Sequence, residues 1–167
     1  RLLPGFDAVA DLFQANDGDG RDSDARDPGN WMTEAEAQER GCTAMPSNWH
    51  GTGVTGILAA RGGNGAGIAG INWNTRILPV RVTGKCGGAS SDVIAGMLFA
   101  AGIEEPGRVP ANPTPAQVIN MSLGVHSSWG CSPTFAAAVD AVRARNVLIV
   151  AAAGNDNEEA TDFLPAA

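Results

Sequence analysis

Basic residues are scarce in this sequence, where 11 Lys and Arg stand against 18 Asp and Glu and give a formal net charge of -7. Because contacts to a phosphate backbone require clustered Lys and Arg, this balance argues against nucleic acid as a partner. No apolar run approaches the roughly 20 residues that a transmembrane helix requires, so we expect no membrane partner. Grouped carboxylates, by contrast, could bind a hard cation.

Cysteine is also scarce, and Cys42, Cys86 and Cys131 lack the C-x-x-C spacing of zinc sites and redox motifs. Three is an odd number, so in an oxidising compartment one pair could form within the chain and the third cysteine would need a partner outside it. Three buried free thiols are the alternative. The sequence begins at Arg1 without the pattern of a signal peptide, and we therefore expect a processed or truncated product.

Glycine is abundant, with 22 among the 167 residues, which favours many tight turns and close backbone approaches over a helical bundle. The length corresponds to one medium-sized domain. The acidic, glycine-rich stretch 15–30 predicts a loop, and the polar stretch 31–47 predicts irregular structure. Small residues at 49–60 predict a tightly packed helix, in which glycines would serve close packing because they cost helix propensity.

From residue 77 onwards, segments that predict strands alternate with segments that predict helices. We expect strands at 77–82, 118–122 and 147–152, and helices at 90–101 and 132–145. The run at 147–152 is continuously apolar, which is typical of a strand buried on both faces. Together with a first strand within 1–14, this alternation predicts an α/β fold with a parallel sheet and right-handed crossovers.

Three short motifs lie where sites form in such sheets, at the carboxyl ends of strands and at the helix starts that face them. They are His50 to Gly56 at a helix N-terminus, Ser122 to Gly124 after a strand, and Ala151 to Asn155 at the end of the last strand. In this order they resemble motifs of the subtilisin-like serine proteases, the subtilase family, written H-G-T-H-V-A-G, S-L-G and A-A-G-N. The resemblance extends over most of the chain from about Leu2.

The resemblance implies a three-layer α/β fold, with a mostly parallel β-sheet and helices on both faces, that is incomplete in this chain. Residues 1–167 would form part of the catalytic domain of a secreted serine endopeptidase acting on peptides or proteins. His50 would be the general base, because an imidazole changes protonation near neutral pH. Asn155 would donate its side-chain amide to the negative oxygen of the tetrahedral intermediate. His126, which lacks such a context, is expected to be a surface residue.

The resemblance further implies that two backbone segments pair with an extended substrate by strand addition. These segments comprise Gly87, Gly88, Ala89, Ser122, Leu123 and Gly124. The primary specificity pocket would be lined by Ala151 and by Ala152, Ala153 and Gly154, whose small walls would admit a sizeable substrate side chain.

A cluster of carboxylates in the acidic loop predicts a calcium site, since calcium takes six to eight oxygen ligands and Gly and Ser between the aspartates would let the loop turn. The candidate ligands are Asp17, Asp19, Asp22, Asp24 and Asp27. The EF-hand pattern fits only in part because no Glu closes the loop. A solvated acidic loop is the alternative, and the resemblance to calcium-binding secreted subtilases favours the metal.

The sequence departs from the family pattern at two of the three catalytic positions. The D-T-G or D-S-G segment of the catalytic aspartate and the G-T-S-M-A segment of the nucleophile are absent, and Asp7 and Asp11 match neither. We expect the first segment about ten residues before Arg1 and the second well beyond Ala167, so this chain alone should be inactive. The remaining piece of the same protease would then be a partner, and Ala167 would be a processing boundary.

The family pattern also implies a pairing of the cysteines and one change in the histidine motif. Cys42 and Cys86 would form a disulfide, and Cys131 would pair with a cysteine just past Ala167. Gly53 replaces the second histidine of the family motif, which should alter local packing without removing the mechanism.

Two other classes of function compete with the protease. The first is a non-catalytic subtilase-like module that binds peptides or calcium. The second is a nucleotide-binding domain, because Gly65 to Gly70 matches G-x-G-x-x-G. That fingerprint requires a preceding strand and a following helix, whereas here a predicted helix precedes it, so we do not favour this alternative.

Overall fold

The computed structural model describes residues 1–126 and 130–166, divided between two compact units, Arg1–Gly96 and Met97–Ala167. The elements of the first unit are β1 (Phe6–Asp7), α1 (Leu12–Ala15), α2 (Glu34–Arg40), α3 (His50–Ala59), β2 (Val80–Arg81) and the first part of α4 (Ser90–Ala100). The second unit continues with β3 (Val118–Met121), β4 (Val125–His126), α5 (Pro133–Ala144), β5 (Leu148–Ala151), a 3-10 helix (Ala160–Asp162) and β6 (Phe163–Leu164).

In the first unit, β1 and β2 form a parallel pair in which Phe6 lies opposite Val80 and Asp7 lies opposite Arg81. Helix α4 packs on β2 at Gly96, where a Cβ would lie 3.0 Å from Cγ1 of Val80. This contact joins the two elements that flank residues 82–89, and it therefore fixes both ends of that connection.

In the second unit, β3 and β5 form a parallel pair, with Val118 opposite Leu148 and Met121 opposite Ala151. Helix α5 begins as its sequence predicts, because the Ser132 hydroxyl accepts the N–H of Phe135 and a proline occupies the first turn. Strands β4 and β6 form a short antiparallel pair that the sequence analysis did not predict.

Most predicted elements are confirmed, including the helices at 49–60, 90–101 and 132–145 and the strand at 118–122. The prediction of irregular structure at 31–47 is wrong, since α2 lies within it. Its Thr33 and Glu36 form a capping box, in which the hydroxyl of Thr33 accepts the N–H of Glu36 and the Glu36 carboxylate accepts the N–H of Thr33. The T-x-x-E spacing of Thr33 and Glu36 is the sequence signal for the start of this helix.

The prediction that the strand at 147–152 is buried on both faces is also wrong. In β5, Leu148 is 60% exposed and Val150 is 47% exposed, while Ile149 and Ala151 are partly buried. Alternate side chains of a strand point to opposite faces, so this strand is packed on one face only. None of the helices in the described residues has the length and apolar character that crossing a bilayer demands.

Candidate active site

His50 is the first residue of α3 and is exposed. Its backbone N–H donates to Oδ1 of Asn48 at 3.1 Å, which satisfies one of the free donors at the helix start. The preceding residue, Trp49, has φ of 51°, in the left-handed region that bulky side chains rarely adopt. The chain therefore makes a strained turn immediately before the predicted base.

Residues at the end of the acidic loop 15–30 contact the turn that precedes His50. Oδ1 of Asn30 accepts the N–H of Asn48 at 3.0 Å. Gly29 is buried, and a Cβ there would lie 3.3 Å from Cη2 of Trp49 and collide with the hydroxyl of Ser47. Gly29 thus allows the 47–49 segment to lie directly on the loop.

The first predicted substrate-binding segment follows a tight turn. The N–H of Gly84 donates to the carbonyl of Gly87 at 2.8 Å, and the reverse bond is 3.3 Å. After this turn, Gly87, Gly88 and Ala89 are exposed, and α4 begins at the next residue. Exposed backbone of this kind can accept an added strand.

Lys85, at the corner of this turn, is buried although its side chain is charged. Its Nζ donates to Oε1 of Glu36 at 2.9 Å and lies 5.0 Å from the ring centre of Phe13 and 4.6 Å from that of Trp31. The bonds from Thr33 and Lys85 lower the pKa of Glu36 to about 2. Sequence reasoning missed this cluster because its members are far apart in the chain.

The other corner residue of the turn, Cys86, forms a disulfide with Cys42, which follows the end of α2. The structure therefore contains the disulfide that the family resemblance implied. Cys131 is not in a disulfide, and its expected partner beyond Ala167 stays a prediction, because Ala167 itself lies outside the described residues.

In the second unit, two further predicted segments come together. The N–H of Ala152 donates to the carbonyl of Met121 at 3.0 Å, which extends the pairing of β3 with β5. Ser122 to Gly124 and Ala152 to Gly154 therefore leave the same end of a parallel pair. Asn155 follows directly and is exposed.

Phe163 of β6 contacts both of these segments. A Cβ on Gly124 would lie 2.8 Å from Cζ of Phe163, and a Cβ on Gly154 would lie 2.8 Å from Cδ2. Gly154 also has φ of 91°, which a residue with a side chain rarely adopts. Phe163 lies outside every motif, so no role was predicted for it from the sequence.

The predicted calcium ligands do not converge. Asp24 is engaged by Arg26 at 2.5 Å, and Asp17 by Nη1 of Arg81 at 2.7 Å. Oδ1 of Asp22 accepts the N–H of Asp24, and Oδ1 of Asp27 accepts that of Gly29, each at 2.8 Å. Within residues 1–126 and 130–166, no three His, Cys, Asp or Glu side chains are placed to hold a metal ion. In this arrangement the aspartates are engaged by other partners and are not gathered around one point, so the calcium site stays a prediction.

Asp7 and Arg81 form a buried ion pair next to this loop. Nη1 of Arg81 donates to Asp7 at 2.5 Å, and Nη2 donates to the carbonyl of Ala15. Burial raises the pKa of Asp7 to about 6, against the lowering effects of the N–H of Val9 and of Arg81. This pair joins β1 and β2 to the acidic loop, and Asp7 is structural in this arrangement.

The predicted surface residue His126 has a half-exposed side chain, and its Nε2 lies 2.7 Å from a carboxylate oxygen of Glu158. The open groove along β5 and α5, about 630 Å³ in volume, is lined by Ala151 but not by His50, Asn155 or Ala152 to Gly154. Residues 65–70, which match G-x-G-x-x-G, lie between α3 and β2, whereas the nucleotide-binding fingerprint lies between a strand and a helix.

Comparison with known proteins agrees with the motifs. The model of the subtilase family (Peptidase_S8) matches residues 5–166. An extracellular protease of Xanthomonas campestris pv. campestris is 44% identical over 99% of this chain and 28% of its own length. An extracellular basic protease of Dichelobacter nodosus is 41% identical over 98% of this chain and 27% of its own length.

A solved protease structure from Pseudoalteromonas arctica is 48% identical and superposes with a TM-score of 0.90, covering 98% of this chain and 47% of that one. The chain thus spans less than a third of the two curated relatives and about half of the solved structure. The predicted subtilisin-like α/β fold, present in part, is confirmed. On the extent and identity of these matches, the chain belongs to the subtilase family.

Proposed function

We propose that this chain supplies the general base, the oxyanion asparagine and the substrate-binding strands of a secreted serine endopeptidase. The observation that carries the proposal is the extension of the β3–β5 pairing to Met121 and Ala152. It sets the predicted substrate strand beside the predicted pocket wall, directly ahead of Asn155. The Cys42–Cys86 disulfide and the extracellular relatives support secretion, since disulfides persist in oxidising compartments.

In the proposed mechanism, His50 takes the proton of a serine hydroxyl as it attacks the peptide carbonyl and returns it to the leaving amine. The Asn155 amide donates to the oxyanion that develops. Gly87 to Ala89 and Ser122 to Gly124 pair with the extended substrate through their backbone. The sequence contains neither family motif for the serine or the aspartate, so we propose that these 167 residues alone do not hydrolyse peptides at a useful rate.

The test uses the protease in which this chain is joined to its serine-bearing segment. His50→Ala should abolish peptide hydrolysis and labelling by a fluorophosphonate. Asn155→Ala should lower kcat about 10²–10³-fold, the magnitude for the oxyanion asparagine of subtilisin, a member of this family. His126→Ala is the matched control and should leave kcat unchanged. Full activity of His50→Ala would contradict the role of His50, whereas a native protein that neither hydrolyses peptides nor is labelled would favour the second candidate, a peptide-binding module without catalysis.

Calcium binding by the acidic loop remains part of the proposal, although Asp24 would first have to release Arg26. Calcium that binds only the folded chain raises the melting temperature. We expect Tm to rise with calcium in native protein and to rise less in the variant Asp22→Asn. An equal rise in both would assign the effect to another part of the molecule.

A further inference from the structure

Phe163 lies in the space that the proposed function gives to a substrate side chain. In that proposal, Ser122 to Gly124 pair with the substrate backbone, and Ala152 to Gly154 line the primary specificity pocket. The side chain next to the scissile bond must therefore enter between these two segments. In the structure, the ring of Phe163 occupies the space between these two segments.

The ring of Phe163 faces Gly124 with one edge and Gly154 with the opposite edge. The Gly124 side faces Cε1 and Cζ, whereas the Gly154 side faces Cδ2, Cε2 and Cγ. Cε1 and Cδ2 are para to each other, so the ring spans the gap between the two glycines. Neither glycine could carry even a methyl group without a collision with the ring, which means that the gap is filled to contact distance.

The backbone fixes the ring in this position. Phe163 pairs with His126 and Leu164 pairs with Val125 in the antiparallel β4–β6 pair. The carbonyl of Phe163 also accepts the N–H of Ala166 at 2.8 Å. Since β4 directly continues the predicted substrate strand, any shift of Phe163 would disturb that strand.

We propose that Phe163 is a specificity-determining residue that fills the inner part of this pocket and restricts the substrate position before the scissile bond to small side chains such as Gly, Ala or Ser. This inference rests on the proposed function and names its substrate class. It differs from the sequence-based expectation that the pocket admits a sizeable substrate side chain. The reason is that Phe163, which lies outside the motifs, fills the space between the small residues of the pocket walls.

The first test measures binding by these 167 residues and needs no catalysis. Phe163→Ala opens a ring-sized apolar gap, which an aromatic molecule can occupy. N-acetylphenylalanine amide should shift the amide NMR signals of Gly124 and Gly154 in Phe163→Ala at millimolar concentration. Native protein and Leu164→Ala, which alters the opposite face of the same strand, should show no such shift. Equal shifts in native protein, or none in Phe163→Ala, overturn the inference, and Phe163→Leu decides by the same criteria if Phe163→Ala does not fold.

The second test measures kcat/KM in the complete protease with peptide anilides that differ only in Ala or Phe before the scissile bond. Native enzyme should prefer Ala, and Phe163→Ala should raise the Phe-to-Ala ratio at least 10-fold, within the usual range for a change in pocket size. A native preference for Phe overturns the inference. Absence of cleavage of either substrate counts against the proposed function, and the binding test then still decides the role of Phe163.

Discussion

At the scale of single residues, Gly29 connects the acidic loop to the predicted base. Its N–H donates to Asp27, its carbonyl accepts from Nδ2 of Asn16 at 2.9 Å, and it has φ of 96°. Trp49 and Ser47 rest on the side that a Cβ would occupy. A methyl group at this position must therefore displace the turn that leads into His50.

We expect Gly29→Ala to destabilise the chain and to speed hydrogen exchange of the His50 amide, whose bond to Asn48 depends on this turn. Gly18→Ala is a matched control in the same loop, because Gly18 has φ of 105° and open space where its Cβ would be. Both variants carry backbone strain, so overpacking should make Gly29→Ala worse by about 1–3 kcal/mol in chemical denaturation. Equal destabilisation of the two variants, with an unchanged His50 amide, would show that the contact is unimportant.

At the scale of elements, helix α2 is joined at both ends to the turn that precedes Gly87. Glu36, in its first turn, accepts from Lys85, and Cys42, just after its last residue, is bonded to Cys86. The two ties differ in chemistry, since one is a charge-assisted hydrogen bond beside two aromatic rings and the other is covalent. We therefore expect either tie to hold the turn when the other is lost.

This redundancy predicts that Lys85→Met and Cys42→Ala/Cys86→Ala each speed hydrogen exchange of the Gly87 amide modestly, whereas their combination speeds it by more than the product of the two effects. The disulfide closes a loop with a sequence separation of 44, so its removal should also cost about 4 kcal/mol of stability in the chain-entropy description. Arg26→Met is the control, because Arg26 is exposed and its pair with Asp24 should contribute little. Purely multiplicative exchange rates would contradict shared support of the turn.

At the scale of the whole chain, local signals predicted most elements and the order of the motifs. Ser132 with Pro133 marked the start of α5, and the alternation from residue 77 predicted the parallel pairs. The contacts of Phe163 and Lys85 were beyond prediction, because no periodic pattern or motif spacing links Phe163 to the two glycines or Lys85 to Glu36. The calcium prediction rested on the number and spacing of the aspartates. The ion pairs of Asp24 with Arg26 and of Asp17 with Arg81 depend on the three-dimensional structure, which that spacing does not reveal.

The ion pair of Asp7 and Arg81 gives the folded chain a pH dependence of its own. Burial raises the pKa of Asp7 from 3.8 to about 6, so between these values the folded state holds a proton that the unfolded chain releases. The stabilising effect of this proton is complete below about pH 4 and is lost as the pH rises through about 6. The charged groups that face Asp7 are Arg81, which donates to it, and Asp17, which accepts from the same Nη1 of Arg81.

We therefore expect the contribution of Asp7 to the free energy of unfolding to fall between pH 4 and pH 6. The slope of this free energy against pH should correspond to a difference of up to about one bound proton between the folded and unfolded states. Asp7→Asn removes the titrating group, so the difference between native protein and this variant isolates that slope in urea titrations at several pH values. Asp156→Asn, which changes an exposed aspartate, should retain the native slope. A difference that instead grows in favour of native protein as the pH rises would mean that Arg81 outweighs burial and lowers the pKa of Asp7.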